Sequence, residues 1–230
     1  MKILMIVMCL VLGFFSGFLS LHYKSFPYKQ VRYVKNIISP KNKVVTSLYK
    51  DRKSFFEEFR SKSDIVMIGD SITFRAEWGE VLPGVLVINR GIGGDTVKGV
   101  LNRFDSIKST EASKAFIMIG VNDVINDHPV KEIYAQYSLL VNKLKESNIT
   151  PYIQSTLYVG KSLYPLNKRI GQLNQKLKEL SINEGVAYID VNTKLAPNDL
   201  LGASFTSDDI HMNGRGYLLW KDMILPYVYE

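Results

Sequence analysis

Short apolar runs recur along the chain, each closed by glycine or a polar residue and separated from the next by segments of helical period. The runs at 65–68, 85–88, 115–119, 152–154 and 186–189 are continuous rather than alternating. That is the pattern of strands buried on both faces. Between them, apolar residues fall three and four apart, as they do on the buried stripe of a helix. Val97, Val100, Leu101 and Phe104 form one such set. Ile133, Tyr137, Leu140, Val141 and Leu144 form another, and Leu166, Ile170, Leu173, Leu177 and Leu180 a third. Residues 217–228 predict a closing helix, and 47–60, with Leu48, Phe55, Phe56 and Phe59, an opening one. Strands alternating with helices predict an α/β fold: a three-layer α/β/α sandwich around a five-stranded parallel, doubly wound, flavodoxin-like sheet. Right-handed crossovers then bring all the strand tips to one edge.

One apolar run is of a different kind. Residues 3–21 carry no charged side chain. At 1.5 Å per residue they reach about 28 Å, close to the hydrocarbon thickness of a bilayer. The stretch is long for a signal-peptide core and no A-x-A-like cleavage site follows it. Residues 1–22 are therefore expected to form an uncleaved transmembrane anchor, with a cleaved signal as the alternative. Cys9 sits too early to serve as a lipid-attachment cysteine, and a lone cysteine excludes an intrachain disulfide.

Charge sharpens the division. The chain carries a net +7. Nine basic residues against Asp51 put +8 on residues 22–53, Lys2 adds one more, and residues 54–230 are left at −2. The basic character thus belongs to a tether, residues 23–47, followed by a folded domain at 48–230. Basic residues beside a span attract anionic headgroups, so the expected partner is a membrane. A nucleic-acid role is excluded, because no basic, aromatic-interleaved surface follows. The flanking lysines favour a cytoplasmic domain under the positive-inside bias, whereas the signal-like start favours export. Export is the expectation adopted, so the domain is expected to be extracytoplasmic.

The predicted strand tips collect polar residues. The first run ends in Gly69-Asp70-Ser71 and the second in Asn89-Arg90-Gly91-Ile92-Gly93-Gly94-Asp95-Thr96. The third ends in Gly120-Val121-Asn122-Asp123, and Asp208-Asp209-Ile210-His211-Met212-Asn213 precedes the last helix. Ligands bind at such tips in open α/β sheets. Ser71 reads equally as a helix N-cap, since Ser and Asp are both favoured there. As a nucleophile it would need a base. Of the three histidines, His22 borders the apolar run and His128 precedes Pro129 in an unpatterned stretch, read as a loop. His211 has Asp208 three residues earlier, a spacing that lets a carboxylate hold one ring nitrogen while the other faces the serine. Asp209 would point elsewhere. Developing negative charge needs donors, for which the Ser71 and Gly94 N–H groups and the Asn122 amide are suited.

These four blocks resemble the SGNH (GDSL-type) hydrolase superfamily, over roughly residues 62–220. Gly69-Asp70-Ser71 is similar to its first block, Gly94 within GIGGDT to its second, Asn122 to its third, and Asp208-x-x-His211 to its last. The wording NRGIGGDT is most like the branch holding platelet-activating-factor acetylhydrolase subunits and carbohydrate acetylesterases, although GVND departs from the GTNN of the former. The resemblance implies a serine esterase with Ser71 as nucleophile, His211 as base, Asp208 as its orienting acid, and Ser71, Gly94 and Asn122 lining an oxyanion hole. It implies no metal or organic cofactor. The implied substrate is a short-chain ester, such as an acetyl ester, of a glycan or lipid. The alternatives are a lysophospholipase or acyl thioesterase, and a non-catalytic flavodoxin-like module that binds an anion at its helix N-termini.

Overall fold

The computed structural model describes residues 47–230, together with Gly13. The expected anchor and the tether up to residue 46 lie outside the described residues. Among the described residues no helix is long and apolar enough to cross a membrane.

Helix α1 (Ser47–Glu58) opens the domain, and β1 (Ile65–Gly69) follows. Two single-turn helices, α2 (Ser71–Phe74) and α3 (Trp78–Val81), lead to β2 (Val87–Gly91). Then come α4 (Val97–Leu101), α5 (Phe104–Lys108), β3 (Lys114–Met118), α6 (Val121–Ile125) and α7 (Val130–Glu146). After β4 (Thr150–Gln154), a 3-10 turn leads into α8 (Asn167–Glu184). The chain closes with β5 (Ala187–Ile189), α9 (Asn192–Leu195) and α10 (Gly214–Val228). All the pairings are parallel and the strand order is β2-β1-β3-β4-β5. This is the flavodoxin-like order, whose connections reverse direction between β1 and β3 and open a crevice at their tips.

β1 is an inner strand, between β2 and β3, and all five of its residues are buried, which is why its sequence is apolar without alternation. Phe116 of β3 and Tyr152 of β4 stack at 4.8 Å on one face. The long helices α7 and α8 bury Ile133, Tyr137, Leu140, Val141 and Leu144, and Ile170, Leu173, Leu177 and Leu180. These are the residues the 3.6 period selects, except Leu166, which falls in the 3-10 turn before α8 and is only partly buried.

Two elements differ from the sequence expectation. β2 runs to Gly91 instead of stopping at residue 88, so it includes polar Asn89 and Arg90. It is an edge strand, and both side chains find partners there. Asn89 Nδ2 donates to the Thr73, Phe74 and Ala76 carbonyls at 3.1–3.2 Å, and the Arg90 guanidinium lies 4.5 Å from the centre of the Phe56 ring. The helix expected across residues 97–104 is broken into α4 and α5 between Asn102 and Arg103, because Arg103 turns inward to Asp95.

Candidate active site

β1 ends at Gly69 and the chain turns at once into α2. Asp70 Oδ1 accepts the Ile72 N–H at 2.9 Å, so Asp70 is the N-cap. The cap left open between Asp70 and Ser71 thus falls on Asp70 alone, and Ser71 occupies the first helical position. Its hydroxyl turns to a different partner: Ser71 Oγ lies 2.9 Å from His211 Nε2. Helix α2 packs tightly on the neighbouring strand, since a Cβ at Gly91 would overlap Phe74 N and Asp70 O. From the other side, the Tyr217 hydroxyl of α10 donates to Ile72 O at 2.7 Å.

His211 and Asp208 come from the loop before α10. His211 Nδ1 lies 2.6 Å from Asp208 Oδ2, while Asp208 Oδ1 accepts the backbone N–H groups of His211 (2.7 Å) and Ile210 (3.1 Å). Burial pushes the Asp208 carboxyl up, but the His211 N–H, the ring and the Ile210 N–H together outweigh it. They hold the carboxyl well below the usual carboxylate range. Arg75, at 3.8 Å from the same carboxylate oxygen, adds a cation on its solvent side. Asp209 turns away and ties this loop to the one after β4: Gly160 N–H donates to its carbonyl at 2.7 Å and Ser162 N–H to its carboxylate at 2.9 Å.

On the other side of Ser71 lie the tips of β2 and β3. Gly94 has φ +75°, a left-handed conformation that favours glycine. Asn122, in α6, donates from Nδ2 to Asp95 O at 3.0 Å, which uses one of its two amide N–H bonds. Beneath them is a buried polar cluster that sequence reasoning missed. Arg103 donates from Nε and Nη2 to Asp95 Oδ2, each at 2.9 Å, and from Nη2 to Gly69 O at 3.4 Å. Asp123 is fully buried and accepts Val97 N–H at 3.2 Å, with its other oxygen 3.3 Å from His128 Nδ1. His128 is thus in a loop, as expected, and paired with Asp123. The signal for the cluster was present in the block GIGGDT and in GVND, but the partners lie 8 to 34 residues apart.

The structure therefore brings Ser71, His211 and Asp208 into one hydrogen-bonded line, and Asn122 against the loop of Gly94. Among the described residues no group of three or more His, Cys, Asp or Glu is placed to hold a metal ion. Over residues 67–219 the chain matches the model of the GDSL-like lipase/acylhydrolase family. The chain belongs to that family. That family is one of lipases and acylhydrolases, which by reaction type are carboxylic ester hydrolases. Among curated proteins the chain is 26% identical over 186 residues to the N-acylneuraminate cytidylyltransferase of Streptococcus agalactiae, covering 79% of this chain and 44% of that one. The chain thus spans less than half of that relative. It is 23% identical to the platelet-activating factor acetylhydrolase IB subunit alpha2 of Rattus norvegicus, covering 67% of this chain and 71% of that one. Among solved structures, an acetylxylan esterase from Geobacillus stearothermophilus superposes with a TM-score of 0.61 at 22% identity, covering 73% of this chain and 94% of that one.

Proposed function

We propose that the chain hydrolyses a short acyl ester, an acetyl group foremost, carried by a glycan or a lipid, through an acyl-enzyme on Ser71. The observation that carries this reading is the line Ser71 Oγ–His211 Nε2 at 2.9 Å and His211 Nδ1–Asp208 Oδ2 at 2.6 Å. His211 takes the hydroxyl proton as Oγ attacks the carbonyl carbon, and Asp208 stabilises the resulting imidazolium. The oxyanion is received by the Ser71 and Gly94 N–H groups and the second amide N–H of Asn122. His211 then protonates the leaving alcohol, and a water that it activates in turn releases the acid. The acetyl group is supported by the names of two relatives, an acetylxylan esterase and an acetylhydrolase. The reading extends to place: residues 3–21 anchor the chain in a membrane with the domain on the outer side.

The test is the full chain and its Ser71→Ala variant on p-nitrophenyl esters of rising acyl length. The variant is expected to lose roughly a thousand-fold or more in kcat/KM. Its Tm is expected to stay unchanged, because the cap belongs to Asp70. Equal rates from the two proteins would overturn the serine mechanism. A preference for long chains over acetate would replace the acetylesterase reading with that of a lysophospholipase or thioesterase.

A further inference from the structure

Helix α1 lies wholly before residue 67, where the match to the family begins, yet it touches the Gly94 loop and the helix that follows it. Leu48 Cδ2 lies so near Gly93 that a Cβ added there would be 3.0 Å away. The Tyr49 hydroxyl donates to Gly99 O, within α4, at 2.9 Å. About two turns further along α1, Phe56 is fully buried. Its ring faces three guanidinium groups, Arg90 at 4.5 Å, Arg52 of α1 itself at 4.8 Å and Arg103 at 5.8 Å. Arg103 is the residue that holds the Asp95 carboxylate, and Asp95 O is the acceptor for Asn122. Burial first, and the Asp95 charge second, raise the Tyr49 phenol, so it remains a donor at all working pH values.

From this continuous set of contacts we infer that α1 is a clamp on the oxyanion loop and that Tyr49 is a positioning residue for ester hydrolysis. The inference rests on the reading of Gly94 and Asn122 as oxyanion donors. Such donors accelerate a reaction only if they are already aimed where charge will develop. Ile92, Asp95 and Thr96 tie the loop down from beneath, but Gly93 and Gly94 have no side chains of their own to fix that aim. Leu48 and Tyr49 fix it from outside, at Gly93 within the loop and at Gly99 in the first turn of α4, into which the loop runs. The segment that joins the folded domain to the basic tether is thereby part of what sets the rate.

The experiment uses the full chain and three variants: Tyr49→Phe, Lys50→Ala as an exposed neighbour on the same helix, and Ser71→Ala. Hydrolysis of p-nitrophenyl acetate, Tm, and the affinity of an alkyl boronic acid, which forms a tetrahedral adduct on a reactive serine, are measured for each. Removing one hydroxyl from Tyr49 is expected to lower kcat about three- to ten-fold. KM and Tm should stay at wild-type values, and boronate affinity should fall by the same factor as kcat/KM. Lys50→Ala should match the wild type in every readout. Unchanged kcat in Tyr49→Phe would overturn the clamp, as would a loss of kcat with boronate affinity intact. Activity remaining in Ser71→Ala would instead overturn the serine reading on which the clamp depends.

Discussion

At the scale of single residues, Asp70 is under more strain than its role as a cap suggests. Burial pushes its carboxyl up to about 7, with the Ile72 N–H opposing and the Asp95 and Asp123 charges reinforcing. In the unfolded chain an aspartate titrates near 4. Between about pH 4 and 7 the folded state therefore holds a proton that the unfolded state has released, and stability falls as pH rises through that window. Asn at this position keeps an oxygen for the Ile72 N–H and has no charge to bury. Asp70→Asn is expected to flatten the decline, whose limit is about 1.4 kcal/mol per pH unit. Urea unfolding at pH 5, 6, 7 and 8 checks this, and parallel curves for both proteins would refute it. Ser71, Asp208 and His211 could be picked out from the sequence because each chemistry demands a particular side chain, and Asp208 and His211 are three residues apart. Which of Asp70 and Ser71 caps α2 could not be, since both residue types make good caps.

At the scale of elements, the short helices α4 and α6 are only five residues each, too few to hold themselves. Asp123 pins them together through the Val97 N–H. Asp123→Ala would leave that buried N–H without its acceptor, a loss of about 1–3 kcal/mol. Asp123→Asn, which can still accept, should lose less. Chemical denaturation of both variants measures the difference, and kcat/KM should fall in the same order because the Gly94 loop leads directly into α4. Apolar periodicity located β1, β3, β4, β5 and the long helices because it records which face is buried. It could not locate the end of β2 or the break at Asn102-Arg103. Those depend on where Asn89, Arg90 and Arg103 find partners, and a hydropathy pattern contains no partners.

At the scale of the whole molecule, the charge is unevenly distributed, with +8 on residues 22–53 and −2 from residue 54 onward. A fusion of an export-dependent reporter to the C-terminus is expected to be active, as an outward-facing domain requires. A cytoplasm-dependent reporter giving the signal instead would place the domain inside. The two halves of the site also differ in how firmly the fold holds them. Ser71 follows β1, an inner and fully buried strand, whose backbone opens only with the sheet itself. His211 and Asp208 ride on a loop whose regular pairing is a single bridge, Thr206 to Met212. Its ties to the loop after β4 run through Asp209. Local opening of that loop needs far less free energy than global unfolding. It separates His211 from an otherwise intact Ser71. On warming, the molecule thus switches off by unlatching before it melts, and cooling restores it without refolding the sheet.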